Sequence, residues 1–161
     1  MTFSYVVIYN PAAGFVTGGG WIDSPEGAYP DNSLITGKAN LGFNIRYPEG
    51  ESIPSGQIQF NFKEADLKLH STGYEWLVIN GAKAIFKGEG TINGEGVYKF
   101  QVTVIDAEAD LNDDFEEDCI RIKIWEVVGG NEVVIYDDTL GDNSDYALTE
   151  LGGGSIVIHE D

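Results

Sequence analysis

From Gln57 to Lys63 the chain alternates strictly, with Ile58, Phe60 and Phe62 on one face and Gln57, Gln59, Asn61 and Lys63 on the other. A two-residue period of this kind reads as a strand with one dry side and one wet side. The same pattern runs through Ala65-Asp66-Leu67-Lys68-Leu69-His70. It returns where Ile120, Ile122 and Ile124 oppose Cys119, Arg121, Lys123 and Trp125, and where Trp76 alternates with Tyr74 and Val78. No window longer than about ten residues carries an apolar helical repeat. The 21 glycines interrupt any candidate helix.

Turn dipeptides join these runs. Asn80-Gly81 separates Tyr74–Ile79 from Ala82–Phe86, Asn93-Gly94 separates Gly90–Ile92 from Val97–Val104, and Gly129-Gly130-Asn131 separates Ile120–Val128 from Glu132–Tyr136. Asn-Gly supplies the two positive φ values of a tight hairpin turn. The two ends of the chain echo each other in Gly18-Gly19-Gly20-Trp21-Ile22 and Gly152-Gly153-Gly154-Ser155-Ile156, which reads as a pair of neighbouring strands. Glycines inside strands mark bulges or close backbone approach. The expected class is all-β, an antiparallel two-sheet sandwich of jelly-roll-like or Ig-like form. Residues 14–161 form the single β-sandwich domain, and residues 1–13 an N-terminal arm or linker strand.

Composition narrows the partners. Nine basic residues against 27 acidic ones give a formal charge of −18, which opposes nucleic acid and anionic membranes. Aromatic residues at 12% argue for a folded core over an acidic disordered chain. Tyr5–Tyr9 is too short for a signal-peptide core or a membrane span, so an export signal is expected outside this chain. The lone Cys119 forms no internal disulfide and reads as a structural thiol.

From Asp106 to Asp118, eight of thirteen residues are carboxylates. Crowded like charges repel, and a cation turns that repulsion into binding energy. Asp106, Glu108, Asp110, Asn112, Asp114 and Glu117 fall at relative positions 1, 3, 5, 7, 9 and 12, the oxygen-ligand spacing of an EF-hand loop, with Asp118 following. Leu111 stands where that loop needs glycine, and no helices flank it. The candidate cofactor is calcium, held as a clamp between strands, against the plain alternative of a solvated loop. Asp137, Asp138, Asp142 and Asp145 offer a second oxygen-rich turn, either calcium loop or Asx-turn connector. The Pro-broken segment Asp23–Asn32 reads as a surface excursion whose carboxylates complete such a site from across the fold.

Enzymatic constellations are weak, and nothing singles out one paired-carboxylate acid from the many acidic residues. His70 and His159 stand in no zinc spacing, and His70 and Ser71 point to opposite faces of a strand. Trp125, on the wet side of its strand, and Trp21 are candidate stacking platforms for a glycan, set against ordinary packing. The unbroken run Tyr5, Val6, Val7, Ile8 and Tyr9 is a candidate assembly strand for a neighbouring subunit.

Taken in order, Gly14–Ile22, Thr36–Phe43, Leu69–Thr72, Tyr74–Val78, Ile120–Trp125 and Gly152–His159 resemble an uncharacterised β-domain. That domain lies near the C-terminal ends of large secreted bacterial proteins, after Ig-like or polycystic-kidney-disease-type repeats. The resemblance implies a non-catalytic module outside the cell or on its surface, and brings no functional residues with it. A Gly-rich connector is expected where this chain carries its acidic loop, so the calcium reading rests on this chain's own residues. The expected function is a non-catalytic extracellular structural or adhesive module stabilised by calcium, with neighbouring domains or identical subunits as partners. A filament subunit assembled by strand addition and a carbohydrate-binding module are the alternatives.

Overall fold

The computed structural model describes residues 14–48, 52–109, 117–140 and 149–159. They form ten strands: β1 (Phe15–Ser24), β2 (Gly37–Arg46), β3 (Ser55–Phe62), β4 (Leu67–Asn80), β5 (Lys83–Ile92), β6 (Glu95–Ile105), β7 (Cys119–Val128), β8 (Asn131–Asp137), β9 (Thr149–Glu150) and β10 (Gly153–His159). All pair antiparallel in one curled sheet of order β10-β1-β2-β3-β4-β5-β6-β7-β8, with the short β9 on β7. The all-β antiparallel expectation holds. β1 to β8 lie in chain order as a meander, after which the chain places β9 on β7 and crosses over to set β10 beside β1.

The alternating pattern drives the curling. Inward side chains from nearly every strand, among them Val16, Phe43, Phe60, Phe86, Val102, Ile122, Tyr136 and Ile156, belong to one buried cluster. A flat sheet would leave them wet, whereas rolling the sheet lets distant strands meet across the interior. Phe60 and Phe62 of β3 lie 4.8 and 5.7 Å from the Tyr136 ring of β8, and Phe43 of β2 lies 5.5 Å from Phe86 of β5. The Tyr47 hydroxyl donates to the Leu77 carbonyl and accepts the Leu77 amide, both at 3.0 Å. Ser24 Oγ and the Tyr136 hydroxyl, 112 residues apart, share a buried hydrogen bond of 2.8 Å.

The glycine-rich ends do pair: β1 meets β10 with Gly19 opposite Ser155, Gly20 opposite Gly154 and Trp21 opposite Gly153. A Cβ on Gly20 or Gly154 would run into the facing backbone, which accounts for glycine on both sides. The three expected hairpins form. Asn93-Gly94 and Gly129-Gly130 each supply two positive φ values, but Asn80 ends β4 opposite Lys83, so the first turn is Gly81-Ala82 with only Gly81 positive. That pattern is a II′ turn in place of the expected Asn-Gly I′.

Local irregularities account for two further differences. Lys63–Ala65 forms a 3-10 turn and Asp66 takes a left-handed φ of 50°, so the alternating run begins its strand only at Leu67. The β4–β5 pairing shifts between Ser71 and Gly73 and again between Tyr74 and Trp76. The second shift puts Tyr74 opposite Gly88, against Phe86 and Phe100, and Trp76 opposite Lys87, so the two do not share a face.

Candidate functional site

The described acidic residues act first as hydrogen-bond acceptors for stranded backbone. Asp106 is buried at the end of β6, where its Oδ1 accepts Glu108 N–H at 3.1 Å and its Oδ2 accepts Ile158 N–H at 3.0 Å. Asp118 accepts Ala107 N–H at 2.8 Å through Oδ1 and Ile156 N–H at 2.7 Å through Oδ2. Ile156 and Ile158 lie on β10, whose other side faces no strand in the sheet order. The two carboxylates therefore stand in for a missing neighbour along that edge, a charge-assisted arrangement stronger than a neutral one.

Asp138 does the same for β7. The pairing of β7 passes from β8, which ends opposite Lys123, to β9, which begins opposite Ile120. In the gap Ile122 N–H donates to Asp138 Oδ1 at 2.8 Å. Asp138 is 4% exposed, and burial pushes its carboxyl up to about 7, with the Thr149 hydroxyl and the Ile122 amide pulling the other way and Asp137 adding to the rise. Asp138 Oδ2 has no hydrogen-bond partner within bonding geometry among the described residues. Asp137 is equally buried but ion-paired, its oxygens 3.2 and 2.8 Å from Arg121 Nε and Nη2. Glu108 and Glu117 are exposed. Asp110, Asn112, Asp114, Asp142 and Asp145 lie outside the described residues. Among the described residues no group of three or more His, Cys, Asp or Glu side chains is placed to hold a metal ion.

The surface excursion is anchored, because Ala28 is buried and its carbonyl accepts Asp137 N–H at 2.9 Å, while Asp23, Glu26 and Asp31 stay exposed. The thiol of Cys119 is buried and donates to the Glu117 carbonyl. Desolvation first, then Glu150, Asp118 and Glu117, raise its pKa to about 11, which keeps it protonated.

Neither tryptophan offers a bare ring. Trp125 is 8% exposed, with Lys123 and Lys87 ammonium groups 5.1 and 5.6 Å from its ring centre. The expectation that its wet-side position leaves it exposed is wrong, because neighbouring lysines lie over it. Trp21 packs so closely on Gly152 and Gly153 that a Cβ on either would strike the indole, and Lys38 Nζ sits 4.3 Å from the ring centre. The assembly strand Tyr5, Val6, Val7, Ile8 and Tyr9 lies outside the described residues.

The most distinctive surface is one that the acidic loops and tryptophans did not point to. On the outer face, cross-strand register places Trp21, Asn40, Asn61 and Lys68 in one row, Gly19, Gly42, Gln59, His70 and Thr91 in the next, and Thr17, Asn44 and Gln57 in a third. A hollow of about 610 Å³ is lined here by Asn40, Asn44, Gln57, Gln59 and Asn61 around Gly18 and Gly42. A second, of about 780 Å³, shares Gln59 and Asn61 and continues over Lys68, His70, Thr91 and Asn93. The first has no charged side chain in its lining, in a chain of charge −18.

Its floor is open by choice of residue. Gly42 faces Gly19 directly across β2 and β1. Gly42 has no positive φ, and a Cβ built on it meets nothing within 4 Å. Neither backbone conformation nor crowding requires glycine here, although glycine weakens a strand interior. Asn61 adds a polar vacancy: its Oδ1 is buried without a hydrogen-bond partner among the described residues. The sequence signal was present in Gln57, Gln59 and Asn61, the wet face of the clearest strand, and its uncharged character was the part left unused.

Set against protein-family models, curated proteins and solved structures, the chain shows no match.

Proposed function

We propose that this protein is a non-catalytic adhesive module of the cell exterior that holds a glycan in the carboxamide-lined groove over Gly42. One observation carries the reading: five Asn and Gln side chains line a hollow whose floor Gly42 leaves clear. Carboxamides donate and accept at once, which suits ligands made of hydroxyl groups, and neutral polar lining avoids the cost of burying charge. The exterior location rests on the resemblance to C-terminal domains of large secreted bacterial proteins.

The experiment is a glycan array paired with Gly42→Val. Valine suits a strand and fills open space, so the variant should keep or raise the melting temperature while losing the retained glycan. A wild-type protein that retains no glycan sinks the proposal, as does a Gly42→Val protein that binds unchanged. On the same reading the curled sheet packs on itself as a two-sheet sandwich does, supported by the Phe60–Tyr136 and Phe43–Phe86 contacts across the interior.

The second reading is the calcium clamp drawn from Asp106, Glu108, Asp110, Asn112, Asp114, Glu117, Asp118, Asp137, Asp138, Asp142 and Asp145. Its check is calorimetry in millimolar calcium against EDTA, where an unchanged melting temperature removes it.

A further inference from the structure

Building on the glycan-binding reading, we infer that the ligand is a neutral, extended sugar chain that lies across the strands and is gripped along its length. The two hollows are parts of one trough, since Gln59 and Asn61 line both. The trough crosses from β1, where Gly18 lines it, through Gly42, Gln59 and His70 to Thr91 on β5. Four strand spacings make a run of about 19 Å, several sugar rings long and more than one terminal sugar can fill.

The middle of this run is where the polar demand is greatest. Asn61 has a buried oxygen without a partner among the described residues and lines both hollows, so a half-turn of its amide brings either an acceptor or a donor to a ligand hydroxyl. Asn93, at the far end, is committed to the fold, because its Oδ1 accepts Lys68 N–H and its Nδ2 donates to the Asp66 carbonyl. It shapes that end of the trough as a wall.

Charge favours a neutral chain. The molecule as a whole repels anions, and the first hollow contains no cation to offset that. In the second, Lys68 is accompanied by Asp66.

The test uses native gels cast with β-glucan, xylan, mannan or dextran as neutral polymers and alginate or pectin as anionic ones. Fragments of the retarding polymer, roughly two to six sugars long, then compete for binding, since each added contact along a chain raises its avidity. Affinity should climb about tenfold or more from the shortest to the longest fragment. Thr91→Leu, which fills the second hollow, should weaken the longest fragments and spare the shortest. His70→Leu serves the same purpose if Thr91→Leu does not fold. Equal affinity for all lengths, with Thr91→Leu and His70→Leu without effect, overturns the extended chain and leaves glycan binding at Gly42 standing. Retardation by the anionic polymers alone overturns the neutral class. No retardation by any polymer overturns both this inference and the function on which it rests.

Discussion

Asp138 occupies a position in the β7 ladder that a backbone carbonyl would otherwise fill, and it does so inside the protein. Its carboxyl sits above the ordinary aspartate value, so the folded state holds the proton more tightly than the unfolded chain does. Its contribution to stability is therefore complete below about pH 3.8 and is lost as pH rises through about 7. Asp138→Asn keeps the acceptor and removes the charge. Melting curves at pH 4 and pH 8 should show this variant gaining on the wild type as pH rises. Asp137, its neighbour, is paired with Arg121 at 2.8 Å, with side-chain exposures of 3% and 9%. Asp137→Ala removes the carboxylate paired with a buried guanidinium and should cost about 3–5 kcal/mol in denaturant unfolding. Sequence placed both aspartates in an oxygen-rich turn, and that much was legible. Which way each side chain turns is decided by where β8 ends and β9 begins, a tertiary fact that composition does not carry.

At the level of the strands, β10 is held on one side by β1 and on the other by two carboxylates. Asp118→Ala removes the acceptor of both Ala107 and Ile156 and should destabilise the fold by about 2 kcal/mol. Hydrogen exchange should show Ile156 losing protection first, while the β5–β6 hairpin is unaffected. Asp118→Asn should retain part of it, since its amide keeps one accepting oxygen. The strands themselves were readable from alternation at Ile58, Phe60 and Phe62, and the β1–β10 pair from matching glycines. The bulges in β4 were not, because Tyr74 and Trp76 keep a regular spacing in sequence while the extra residue between them reverses their faces. Trp125 misled for a related reason: alternation gave its side correctly but says nothing of Lys87, which arrives from β5. The groove is the sum of three strands, so Gln57, Gln59 and Asn61 acquire meaning only when Asn40, Gly42 and Asn44 are laid beside them.

For the molecule as a whole, 27 acidic residues against nine basic ones make self-repulsion a standing cost of compactness. The melting temperature should rise as sodium chloride is increased from about 0.01 to 0.2 M, where the screening length contracts from about 30 Å to under 10 Å. A flat response would mean that the surface charges are already paired. The pairing of β1 with β10 also sets how the domain carries load. Phe15 lies opposite His159, their rings stacked 4.1 Å apart, so β1 begins where β10 ends. Tension applied through these two residues peels the ladder open one hydrogen bond at a time, instead of shearing many at once. A protein built this way is a weak link when pulled from both ends and a sound one when tethered by a single end. An adhesive domain gripping its ligand across β1–β5 would then transmit force from the trough to the tether through the body of the sheet, and the vulnerable pair would be spared.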